Sequence, residues 1–246
     1  MRIYTIATQK GGTGKTTTAA VLAQAAAYKG RRVLAIDLDP QANLSYCLGA
    51  DESHAGSYDL LQGMPSASAI QHTAQGIDVI SASADLQTEK STAGSARRLQ
   101  QALEPVRSQY DVCIIDTPAT AGELQYNAMQ AATDLLIPLE TDSYNLQSLK
   151  QVTDTAAQIR QSNPQLRIAG VLLTRHDSRP IINRQLQELL EQGAASMGIP
   201  FLGTVRKAIA VIEAAALQES LYSYAPNSKP AQDYMEIYEK LEAQEV

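Results

Sequence analysis

The sequence predicts an α/β fold with a predominantly parallel, twisted sheet flanked by helices, and three observations predict it. Short β-branched apolar runs recur along the 246 residues, longer helix-forming stretches separate them, and the runs are apolar at successive rather than alternate positions. A strand covered on both faces reads in this way, and such strands belong to parallel sheets whose crossover helices cover both sides. With 44% hydrophobic and 19% charged residues the chain can bury one full core. No repeat, low-complexity tract or linker divides it, so residues 1–246 read as a single domain.

Strands are expected at residues 3–8, 33–37, 77–81, 112–116, 135–138, 168–174 and 201–205. Helices are expected at 15–29, 95–108, 143–161, 182–195 and 208–218, which gives a repeated strand–helix order with right-handed crossovers. Gly30 follows the first helix as its C-terminal stop. Residues 51–74, with Gly56, Gly63, Pro65 and several serines, break the rhythm and are expected to form loops with one short helix. Residues 229–246 read as a surface helix carrying Tyr234, Ile237, Tyr238 and Leu241 on one face and acidic residues opposite.

The formal charge of −6 and pI near 5.1 exclude a global basic field, so contact with nucleic acid or anionic lipid must come from a local patch. Cys47 and Cys113 have no C-x-x-C spacing and no histidine at metal-ligand distance in sequence, and they read as buried free thiols. The N-terminal MRIYTIATQK turns polar too soon for a signal peptide, and no apolar run reaches membrane-spanning length. The expected compartment is a reducing cytoplasm.

The segment Gln9-Lys-Gly-Gly-Thr-Gly-Lys-Thr-Thr17 joins the first strand directly to a helix, the context a phosphate-binding loop requires. Gly11, Gly12 and Gly14 let the amides of the loop, Thr13 included, turn inward, and the positive end of the helix adds to them. Lys15 is expected on the β- and γ-phosphates and Thr16 on Mg²⁺, with Thr17 completing the cradle. Against the general pattern G-x-x-x-x-G-K-[ST] the first glycine is replaced by Gln9, and Lys10 follows.

That departure resembles the deviant Walker A motif of the ParA/MinD family, which implies a P-loop NTPase fold and ATP as the nucleotide. In the family a signature lysine, here Lys10, reaches across an ATP-dependent homodimer to the other subunit's phosphates. Two carboxylate segments at strand tips support this reading, Ala35-Ile-Asp-Leu-Asp-Pro-Gln-Ala-Asn43 and Ile114-Ile-Asp-Thr-Pro118. Asp116 resembles a Walker B carboxylate that holds Mg²⁺ through its water shell. Asp39 resembles the family's switch aspartate, which positions the attacking water near the metal, and Asp37 is expected to support the metal shell from behind. Lys10, Lys15 and Asp39 are therefore the expected catalytic residues, and Thr16, Asp37, Asp39 and Asp116 the expected metal-site residues.

The likeness to ParA/Soj-type partition ATPases extends through Ile168-Ala-Gly-Val-Leu-Leu-Thr-Arg-His-Asp-Ser-Arg179, Val205-Arg-Lys207 and Tyr224-Ala-Pro-Asn-Ser-Lys-Pro-Ala-Gln-Asp-Tyr234. It implies base contacts from Pro226 and Asn227. Sequence-independent duplex DNA binding rests on a few basic residues meeting phosphates, and the candidates are Arg175, Arg179, Arg184, Arg206 and Lys207, of which Arg179 and Arg206 fall where chromosomal members of the family carry arginines that touch DNA. The resemblance also implies association with the nucleoid and a ParB-like partner that stimulates slow hydrolysis. Because the chain starts at its phosphate strand, no N-terminal helix-turn-helix and no operator reading are expected. The rivals are a MinD-like membrane ATPase, disfavoured by the acidic residues 236–246, and an ATP-dependent ligase resembling dethiobiotin or cobyrinate synthases.

Overall fold

The computed structural model describes residues 1–51, 53–89 and 95–244. Eight strands form one sheet: β1 (Arg2–Ile6), β2 (Val33–Asp37), β3 (Gln71–His72), β4 (Asp78–Ile80), β5 (Val112–Asp116), β6 (Asp134–Glu140), β7 (Arg167–His176) and β8 (Phe201–Arg206). Their order is β3-β4-β2-β5-β1-β6-β7-β8, and every pairing is parallel except β3 with β4. The strand that opens the chain lies centrally, with β2 to one side beyond β5 and β6 on the other. The loop that leaves β1 therefore emerges where the winding reverses, the place at which open α/β sheets bind ligands.

Successive strand residues feed two different cores, as continuous apolar runs require. In β1 Ile3 enters one layer and Tyr4 the other; in β5 Cys113 and Ile115 oppose Val112 and Ile114. One layer is closed by α1 (Lys15–Tyr28), α2 (Asn43–Leu48), α9 (Ile209–Ala216), α10 (Leu221–Tyr224) and α11 (Lys229–Ala243). The opposite layer is closed by α3 (Ser57–Leu61), α4 (Ser66–Ala69), α5 (Arg98–Leu103), α6 (Glu123–Ala131), α7 (Asn145–Ile159) and α8 (Ile181–Ser196). The C-terminal helix turns Tyr234, Ile237, Tyr238 and Leu241 inward, each about 1% exposed, so the amphipathic reading of that segment holds.

Helices α2, α6 and α10 lie where none was expected, and two of the expected stretches take another form. Residues 51–74 contain two short helices and the strand β3 instead of one helix, because Asp59 accepts the Gly56 N–H at 2.9 Å to start α3 and Pro65 sets the start of α4. The expected helix at 95–108 is broken into a 3₁₀ turn, α5 and a second 3₁₀ turn containing Pro105, which lacks the N–H that would continue the α pattern.

Candidate nucleotide site

The loop after β1 opens α1 at Lys15, and Gly12 and Gly14 stand at φ +80° and +77°. Gly14 is needed twice over, since a Cβ there would also lie 3.2 Å from Thr174 Oγ1; at Gly12 the space is open and only the dihedral demands glycine. The carbonyls of the loop are engaged on its outer side. Gly12 O accepts from the Arg175 guanidinium, Thr13 O from Thr174 Oγ1 at 2.8 Å, and Gly14 O from Thr18 N–H at 2.8 Å.

Lys15 is buried, its Nζ 3.4 Å from Lys10 O. Burial pulls its pKa down while Asp116 and Asp39 pull it back up, so the ammonium waits in a site short of compensating charge. Thr16 Oγ1 donates to Asp116 Oδ2 at 2.6 Å. Asp37 and Asp116, both fully buried at the tips of β2 and β5, are register partners. The Asp37 carboxylate is saturated: Oδ2 accepts Ser45 N–H and Oγ–H, each at 2.8 Å, and Oδ1 accepts Asp39 N–H at 3.0 Å. It therefore braces the segment that carries Asp39. Asp39 itself is half-buried and accepts Gln41 N–H at 3.1 Å.

These residues fit ATP and Mg²⁺. Hard oxygens at Thr16 and Asp116 suit a cation that keeps most of its waters, and Lys15 with inward amides suits the polyphosphate. Among the described residues no group of three or more His, Cys, Asp or Glu could hold a metal ion by itself. A cavity of about 390 Å³ adjoins the loop between Gly14, Thr17, Thr174, Arg175, Val211 and Tyr234. Pro226 and Asn227 are exposed in the turn before α11 and do not line this cavity.

Lys10 is half-buried, its Nζ ion-paired with Asp142 just before α7. The two lysines of one loop thus face different environments. The basic residues divide as well. Arg175 is bonded to Gly12 O and paired with Glu140 at 3.0 Å; Arg206 is held by the buried Asp233, which also accepts its backbone N–H at 2.9 Å. Arg179 pairs at 2.7 Å with Asp177, two residues away, and remains 89% exposed. Arg184 and Lys207 are exposed and carry no ion pair among the described residues. Sequence reasoning passed over Asp142, Thr174, Ser45 and Asp233, whose roles arise from chain segments distant from the loop.

Residues 1–168 match the family model described as an AAA domain. The chain is 33% identical over 246 residues to the chromosome-partitioning ATPase Soj of Thermus thermophilus, covering 99% of this chain and 96% of that one. Among solved structures, cobyrinic acid a,c-diamide synthase from Mycobacterium smegmatis with bound ATP analogue and magnesium superposes with TM-score 0.79 at 31% identity, covering 97% and 93%. The septum site-determining protein MinD of Pyrococcus horikoshii, complexed with Mg-ADP, superposes with TM-score 0.81 at 25% identity, covering 99% and 97%. With the loop, both carboxylate strands and nearly the whole length accounted for, the chain belongs to the ParA/Soj-type partition ATPases of the ParA/MinD family.

Proposed function

We propose that this protein binds ATP with Mg²⁺ at residues 9–17, dimerises on ATP, binds duplex DNA without sequence preference, and is reset by slow hydrolysis that a ParB-like partner accelerates. The observation that carries the reading is the split between Lys15, buried within its own loop, and Lys10, on the same loop but half-buried and paired with Asp142 from the segment before α7. A lysine outside its own cradle is available to a second subunit's phosphates.

Phosphoryl transfer needs placement and charge more than covalent help. Bound Mg²⁺ would supply charge neutralisation of the phosphates, held through Thr16 and Asp116. Lys15 binds the β- and γ-phosphates, Asp39 orients the attacking water, and Asp37 fixes Asp39 through its backbone N–H. Pairing two subunits doubles the cationic surface at Arg179, Arg184 and Lys207, which makes DNA affinity depend on the nucleotide and on salt. We place the protein on the nucleoid for the same reason; no helix among the described residues is long and apolar enough to cross a membrane.

The likeness to cobyrinic acid a,c-diamide synthase supports a second reading, an ATP-dependent ligase. One experiment separates the two: ATPase rate and DNA retention measured together for wild type and Lys10→Ala, with and without a candidate partner. The switch reading expects hydrolysis without any carboxylate substrate, DNA retention with ATP and little with ADP, and loss of both retention and stimulation in Lys10→Ala. Hydrolysis that requires an added carboxylic acid, or full DNA retention by Lys10→Ala, overturns it.

A further inference from the structure

We infer that Arg175 is a positioning residue for the phosphate loop, acting together with Thr174 to turn two consecutive loop amides inward. The inference rests on the nucleotide site proposed above and removes Arg175 from the DNA-facing set.

The geometry is unusual for a strand. Side chains of successive strand residues point to opposite faces, so Thr174 and Arg175 should not address one target. Here they do: Thr174 Oγ1 bonds Thr13 O and the Arg175 guanidinium bonds Gly12 O, two adjacent carbonyls of one loop. The departure is built into the backbone. Arg175 stands at φ +51°, a left-handed conformation that a non-glycine residue adopts at a cost, and the β7–β8 register shifts across Leu173 to His176. Bulges of this kind re-aim a side chain. Glu140 then fixes the guanidinium from the neighbouring strand at 3.0 Å.

The consequence follows from peptide planarity. In a trans peptide the C=O of one residue and the N–H of the next point in opposite directions. Holding Gly12 O and Thr13 O toward β7 therefore directs the N–H groups of Thr13 and Gly14 away from β7, into the loop. Among the described residues neither N–H has a protein acceptor. With φ positive on both sides, at Gly12 and Gly14, these peptide planes are among the freest in the loop, and an external pin is what selects one orientation.

Arg175→Gly separates this role from a structural one, because glycine relieves the strained dihedral while removing the pin. The readouts are thermal melting of the nucleotide-free protein and equilibrium binding of a fluorescent ADP analogue with Mg²⁺, at low and high salt. Arg175→Gly is expected to melt no lower than wild type yet bind about fivefold more weakly, the size of one ordinary hydrogen bond. That ratio is expected to persist at high salt, and Arg175→Lys, which keeps a cationic N–H donor, to bind within about twofold of wild type. Unchanged affinity overturns the inference. So does a melting temperature that falls along with affinity, which marks a structural residue, and so does a ratio that collapses at high salt, which marks direct ionic attraction to the polyphosphate. Failure of wild type to bind the probe would instead remove the nucleotide site itself.

Discussion

Asp37 and Asp116 face each other as register partners on β2 and β5, two carboxyls with no exposed surface at the end of one pair of strands. Burial pushes Asp37 up to about 6, and burial with the neighbouring charge of Asp37 pushes Asp116 well above the usual carboxylate range. The pair is an arrangement that only a cation makes comfortable. An acid whose folded pKa is raised contributes stability that is complete below its unfolded value, about 4, and is lost as pH rises through the raised one. At pH 8 the nucleotide-free protein therefore carries a penalty that Asp116→Asn removes. The amide can still accept Thr117 N–H and donate to Thr16 Oγ1, preserving both partners of the carboxylate. Chemical denaturation should show the variant more stable than wild type at pH 8, with the gap closing toward pH 4. Stabilisation by Mg²⁺ with nucleotide should be lost. A variant less stable than wild type at pH 8 would contradict the charge argument.

Gly12 and Gly14 share a dihedral and differ in surroundings, so alanine at each should separate strain from crowding. Gly12→Ala meets only its φ of +80°, a cost of about 1 kcal/mol. Gly14→Ala meets that and Thr174 at 3.2 Å, so it should cost about 2–3 kcal/mol and weaken nucleotide binding more strongly. Melting curves and titration with a fluorescent nucleotide rank the two. Equal effects would mean that Thr174 does not press on the loop.

These glycines, Lys15, Thr16 and the two strand-tip aspartates were legible in the sequence because they lie within short segments whose spacing is set by local geometry. The strands were legible for a similar reason: burial on both faces leaves continuous apolar runs. The short helix α2 escaped because six residues cannot display a helical period. The roles of Arg175 and Arg206 escaped for a different reason. Whether an arginine faces solvent or a carboxylate depends on the packing of β6 against β7 in one case and of α11 against β8 in the other, and charge composition carries no trace of either contact.

Asp142 holds Lys10 in the isolated subunit through a pair whose side chains are 39% and 25% exposed, for lysine and aspartate respectively. An ion pair so open to water is worth at most about 1 kcal/mol. Asp142→Asn should therefore leave the melting temperature nearly unchanged while freeing Lys10 for a second subunit. Two such pairs open when a symmetric dimer forms, so light scattering in the presence of ATP and Mg²⁺ should show dimerisation at up to about thirtyfold lower protein concentration. A large loss of stability would mean that the pair serves the fold.

Arg206 and the pair Arg184 and Lys207 should behave in opposite ways, although all three were expected at the DNA surface. Arg206 closes a buried carboxylate, so Arg206→Ala leaves Asp233 with only the backbone N–H of residue 206 and no countercharge, and should cost about 1–3 kcal/mol in denaturation, reduced toward the lower end by the exposure of the guanidinium. Arg184→Ala with Lys207→Ala should leave stability unchanged and instead weaken ATP-dependent DNA retention. Because each phosphate contact contributes about one unit to the slope of log affinity against log salt, and a dimer presents both residues twice, the double variant should flatten that slope by about four. If the slope is unaltered and Arg206→Ala abolishes DNA retention at full stability, the guanidinium exchanges Asp233 for phosphate when the dimer forms, and the DNA contact is made by Arg206 instead of Arg184 and Lys207.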